Sequence, residues 1–214
     1  DIQARLTPAL RAATAAPDHV RLALARQLPV LREPLIAALV DDVARTNATY
    51  AFSTGVAEIA PVLTIPLNLA DVFVLTKNQL VMAYKIALMA GKHGSVRALM
   101  TEVAGVIGGG LLFRQIAREL VGLIPVIGIV PKVAVAYAGT RLIGEAILRW
   151  EVHGERVSRG ELRALYDETL AAGRQLAETL WARARSGADR DAVDVDGAGG
   201  AERARLPRAH DGAI

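Results

Sequence analysis

The chain has 214 residues, 52% of them hydrophobic, 22% charged and 4% aromatic, and it contains no cysteine. This apolar content excludes a wholly disordered chain. Lack of cysteine excludes disulfides, zinc–thiolate sites and cysteine nucleophiles, and scarce aromatics argue against base stacking. Twenty-five Lys+Arg against 22 Asp+Glu give a net charge of +3 with no basic stripe, so nucleic acid is not an expected partner.

The chain begins at Asp1 with no Met, basic n-region or apolar h-region, so no signal peptide is expected and the sequence reads as a fragment or a processed form. Thr7-Pro8 and Pro17-Asp18 read as helix starts, with Pro in the first turn. Pro34 opens a segment with Leu35, Leu39 and Val43 at helical spacing. Residues 1–45 are thus expected to form amphipathic N-terminal helices.

Residues 46–158 are expected to form an apolar helical core. Between Thr46 and Thr76 the only charges are Glu58 and Asp71; Val103–Phe113 has none, and Leu120–Thr140 has only Lys132. A bilayer span needs about 20 mostly apolar residues. Leu120–Thr140 meets that length, Thr46–Thr76 suffices for one span or a bent hairpin, and Val103–Phe113 is too short. Gly105 and Gly109 hold the small-xxx-small spacing that lets helices approach closely. Gly91 and Gly94 follow a long apolar helix, with His93 in the exit turn, and Gly154 ends another just after His153. Both imidazoles are read as helix C-terminal cations meeting the negative dipole end.

Ser158 and Glu161 form a capping box. It launches an amphipathic helix, 159–185, whose apolar residues include Leu162, Leu165, Tyr166, Leu170 and Leu176. Residues 186–214, rich in Gly, Ala, Asp and Arg, are expected to be a disordered tail. Asp189, Asp191, Asp194 and Asp196 lack the spacing and terminal Glu of an EF-hand loop.

A weak internal repeat relates Pro61–Gly94 to Pro125–Gly154. Each copy starts with two prolines (Pro61 and Pro66; Pro125 and Pro131), continues as an apolar helix with a central basic residue, and closes with His-Gly. The fold expected is an all-α bundle with two Pro-broken apolar hairpins, flanked by amphipathic helices. Structural roles fall to Pro66, Asp71, Gly105, Gly109, Pro125, Gly128, Pro131 and Gly144. Asp71 is read as lying in the first turn of the helix that begins after Pro66, where a carboxylate suits the dipole.

The stretch from about Val56 to Asp167 resembles the YcjF-like family. The resemblance rests on Pro66, Asp71, Gln79 and Ile86-Ala87 leading to Gly91, then Gly105–Gly110, Pro125 with Gly128, and Ala136, Thr140 and Gly144. It implies an α-helical, often membrane-associated bacterial domain, sometimes fused to or associated with Ras-like GTPase domains, and without enzymatic activity of its own.

No P-loop, G-x-S-x-G or H-E-x-x-H motif occurs. His19, His93, His153 and His210 have no metal partner at helical spacing. No enzyme activity, cofactor or metal is expected. The expected function is a membrane-associated helical module that anchors or regulates a GTPase partner, at the cytoplasmic membrane or in the cytoplasm as a peripheral protein. Arg141, Arg149, Arg156, Arg159 and Arg163 would mark the cytoplasmic end of the second apolar unit. The alternative is a fully soluble all-α interaction or scaffold domain. It is favoured by Glu58, Asp71, Lys77, Arg114, Arg118, Glu119 and Lys132, which interrupt the apolar runs. Membrane lipid and a GTPase-domain protein are the expected partners, and self-association stays open.

Overall fold

The computed structural model describes the backbone of residues 2–57, 64–99, 101 and 128–203, and the side chains of 7–56, 73–99, 101, 128–158 and 160–186. The described residues are helical and contain no strand, so the fold is an all-α bundle. Six α-helices are described: α1 (Ile2–Thr14), α2 (Asp18–Gln27), α3 (Arg32–Ala57), α4 (Thr64–Met89), α5 (Ile129–Leu148) and α6 (Arg159–Arg203). A 3-10 turn, Pro29–Leu31, joins α2 to α3, and a π-helical turn, Arg149–His153, extends α5. The chain forms two compact units. Asp1–Ala177 holds the core described below, and the described part of Glu178–Ile214 is the C-terminal portion of α6.

Pro66 and Pro131 are each the third residue of their helix, where the missing N–H would have had no intrahelical acceptor. Pro17 occupies the N-cap of α2. Pro8, by contrast, lies inside α1, which begins at Ile2 and not at the Thr7-Pro8 pair. A second correction concerns Asp71: α4 begins at Thr64, so Asp71 is its eighth residue, two turns in and past the first-turn dipole site. A third concerns the tail, because α6 continues beyond residue 186 to Arg203. Alanine and arginine, both strong helix formers, dominate Ala182–Arg190, and no proline occurs between Pro131 and Pro207. Expected breaks at Pro61 and Pro125 lie outside the described residues, as do Glu58, Gly105 and Gly109.

The capping box forms as its spacing predicts. Glu161 N–H donates to Ser158 Oγ at 3.3 Å, and Ser158 N–H donates to Glu161 Oε2 at 2.8 Å. At helix exits, Gly91 (φ +95°) and Gly154 (φ +70°) take the left-handed conformation that glycine accepts without a Cβ penalty. The left-handed residue of the first repeat copy is therefore Gly91, not Gly94, so the copies share a helix and an exit without sharing the exit's register.

Helix α5 is the hub. Val133–Thr140, Leu142–Gly144, Ile147 and Leu148 are all buried, the all-round burial expected of a core helix. Small residues let its neighbours approach. A Cβ on Gly144 would lie 2.6 Å from Val40 Cγ2 on α3, and one on Gly173 of α6 would lie 2.8 Å from Ala134 Cα and O. Leu35, Ile36, Met82, Ile86 and Ile147 fill the space between α3, α4 and α5. Each stabilises by about 1.5–3 kcal/mol through removal from water. Among the described residues no helix is long and apolar enough to cross a membrane. Of the Leu120–Thr140 run, the stretch Val133–Thr140 is buried in this core.

Candidate functional site

Three polar assemblies fix how the helices meet. The first centres on two fully buried side chains, Asn47 and Thr140. Asn47 of α3 is inaccessible to solvent, and its Nδ2 donates to Thr140 Oγ1 of α5 at 2.9 Å. Asn78 Nδ2 of α4 donates to Asn47 Oδ1 at 2.7 Å, and Gln79 Nε2 donates to Thr140 Oγ1 at 3.3 Å. Thr140 Oγ1 donates in turn to Ala136 O at 2.8 Å. Buried amides are costly unless paired, so this chain of bonds specifies one register for α3, α4 and α5. It contains no ionisable group, and it has neither a nucleophile with a base nor an opening for substrate.

The second assembly ties α2 to α3 and α4. The nearly buried Arg21 guanidinium meets Asp18 at 2.5 Å and Asp42 at 2.6 Å, and Lys85 reaches Asp18 at 2.5 Å. The Lys85 hydrogen bond, with that of Arg21, holds the Asp18 carboxyl below the usual carboxylate range. Beside it lies a cleft of about 250 Å³ with Leu22, Leu39 and Met89 in its walls. Its cations are already engaged by Asp18 and Asp42. Further along α3, Tyr137 OH donates to Asp41 Oδ1 at 2.8 Å, and Arg45 Nε donates to Asp41 Oδ2 at 2.7 Å. Burial, then the Asp41 bond, pushes the Tyr137 hydroxyl up. Burial also opposes ionisation of Asp41, but the bonds from Arg45 and Tyr137 outweigh it and hold that carboxyl low.

The third assembly gathers both His-Gly exits at one end of the bundle. His93 Nε2 lies 2.7 Å from Arg26 Nη2, and His153 Nε2 lies 3.7 Å from Glu33. Lys92 Nζ reaches the buried Glu151 carboxylate at 3.5 Å across the two exits. Helices α4 and α5 thus finish side by side. The arginines read as marking a cytoplasmic end are partly absorbed here: Arg149 bonds Glu145 and Glu161, Arg141 lies 3.8 Å from Asp41, and Arg156 stacks over Trp150. Among the described residues no group of three His, Asp or Glu side chains could hold a metal.

The remaining feature is a surface. One side of α4 packs inward through Met82, Ala83, Ile86 and Met89. The other presents Phe73 (71% exposed), Leu80 (49%) and Val81 (45%) to solvent, with Lys77 exposed between them. Positions 73, 77, 80, 81 and 84 recur at helical spacing and form one stripe. Phe73, Leu80 and Val81 thus form an exposed apolar patch on one helix face.

Of the residues expected to have structural roles, Gly144 sits at the closest approach of α3 and α5, Gly128 is the N-cap of α5, and Pro131 begins that helix. Pro66 and Asp71 lie in α4, remote in sequence from that crossing. Pro125, Gly105 and Gly109 fall outside the described residues. Sequence reading missed Asn47, Asn78 and Gly173. A polar residue on a face of small apolar residues, as at Asn47 amid Ala44, Ala48 and Ala51, was the available signal. No family model, curated protein or solved structure matches the chain.

Proposed function

We propose that the chain is a non-enzymatic helical module that lies on a membrane surface through the outward face of α4, and that it anchors or regulates a GTPase-domain partner there. The exposed Phe73–Leu80–Val81 stripe carries the membrane part of this reading. With its inner face fixed in the core, α4 has the Phe73–Leu80–Val81 face left to lay against lipid. The partner part rests on the resemblance to the YcjF-like family alone.

Flotation with lipid vesicles in a density gradient tests the membrane reading. The wild-type chain is expected to rise with vesicles of equal parts phosphatidylcholine and phosphatidylglycerol. A Phe73→Ser/Leu80→Ser variant of unchanged helicity is expected to bind about tenfold more weakly, at ~25 cal/mol per Å² of apolar surface no longer buried. The second reading, an all-α interaction or scaffold domain without lipid contact, is favoured by the burial of Val133–Thr140 of α5 in the core. Absence of flotation from a protein that stays monodisperse without detergent would select it.

A further inference from the structure

The outward face of α4 is not merely apolar. Lys77 is exposed one turn after Phe73 and one turn before Leu80 and Val81, so its ammonium sits within the stripe. From Phe73 to Leu99 the sequence holds Lys77, Lys85, Lys92 and Arg97 and no acidic residue. Lys85 and Lys92 are turned to internal carboxylates, Asp18 and Glu151. Lys77 and Arg97 are exposed. A lysine can extend its apolar stem along such a face and hold its charge at the height of a headgroup.

Resting on the membrane reading above, we infer that this face selects anionic phospholipid, with Lys77 meeting the lipid phosphate while Phe73, Leu80 and Val81 enter the acyl boundary. The same lysine argues against a second copy as occupant. A twofold contact is self-complementary; centred on this stripe, it would bring the two Lys77 ammonium groups together. An anionic headgroup compensates the charge, and the cytoplasmic-leaflet type of surface potential attracts it.

The test measures binding of the full chain to vesicles of phosphatidylcholine alone and of equal parts phosphatidylcholine and phosphatidylglycerol, at low and high salt. Wild type, Lys77→Gln and Lys77→Glu are compared, with thermal melts to confirm equal folding. Expected is binding that prefers the anionic vesicles and weakens with salt. Lys77→Gln should lower affinity for them about fivefold, the effect of one basic group at an anionic surface. Lys77→Glu should lower it further, and neither should alter binding to phosphatidylcholine alone. Equal binding to both vesicle types, insensitive to Lys77, overturns the headgroup inference and leaves the membrane reading standing. No binding to either overturns both. A salt-stable dimer that buries Leu80 without vesicles identifies a second copy as occupant and likewise overturns the inference.

Discussion

Gly173→Leu is expected to unfold the first unit of the chain or to lower its melting temperature by about 6–12 °C. That range corresponds to ~3 kcal/mol in a chain of this length. Glycine at 173 lets α6 approach until its backbone faces the backbone of Ala134, and even a Cβ would stand 2.8 Å from Ala134 Cα and O. A flexible neighbour could rotate away from an added side chain; a backbone inside the buried run Val133–Thr140 cannot. Gly160 lies in the same helix with nothing within 4 Å of its Cβ position. Gly160→Leu should therefore melt close to wild type. Circular dichroism melts of the two variants check this, and equal melting temperatures would refute the close crossing of α5 and α6.

Asn47→Leu comes second in expected effect, at about 3 kcal/mol. Leucine shares asparagine's branching and heavy-atom count but is larger, so overpacking adds to the loss of partners. Asn78 Nδ2 loses its acceptor and Thr140 Oγ1 loses a donor at a site closed to water. Leaving a buried polar group without a partner costs about 1–3 kcal/mol. Adding Thr140→Val should cost less than the two single changes summed, because the second removes a group the first had already stranded. Urea denaturation of the two single variants and the double variant measures the coupling. Strict additivity would mean that Asn47 and Thr140 do not act on one another.

How legible this architecture was in the sequence differs by level. Several helix ends were legible where the chemistry is local, although the Thr7-Pro8 pair did not mark the start of α1. The Ser158–Glu161 cap, the Pro17 N-cap and the exits at Gly91 and Gly154 each depend on residues within a turn of one another. The all-α class followed from the absence of period-2 alternation. What one sequence did not reveal was which apolar face meets which. Helices α4 and α5 are both rich in Leu, Val, Ile and Ala, and composition is blind to direction. In the fold α5 is wrapped on all sides, while α4 keeps Phe73 and Leu80 outside. The length of Leu120–Thr140 left both readings open, since an apolar run long enough for a bilayer is equally suited to a bundle centre. Asp71 illustrates the same limit on a smaller scale. Its role depended on where α4 begins, and a start three residues earlier than expected moves the carboxylate off the dipole site.

The polar joints were legible only in part. Gln79 and Thr140 were noticed through a family likeness, but their hydrogen bonds to one another and to Asn47 span 61 and 93 residues of sequence. No local pattern encodes a contact of that separation. Gly173 escaped notice for a related reason: its smallness matters only against Ala134, a partner that the amphipathic pattern of α6 does not name.

The lack of any native cysteine permits a direct measurement of which helix face meets lipid. Leu80→Cys and Ala138→Cys would each be bound to vesicles and exposed to a lipid-dissolved maleimide and to a water-soluble one. Leu80 is half exposed on α4 and Ala138 is completely enclosed on α5. The thiol at 80 is expected to be modified from the lipid phase and protected from the aqueous reagent once vesicles are bound, while the thiol at 138 reacts with neither. Modification at 138 from the lipid phase, with the thiol at 80 still open to water, would contradict membrane contact through α4.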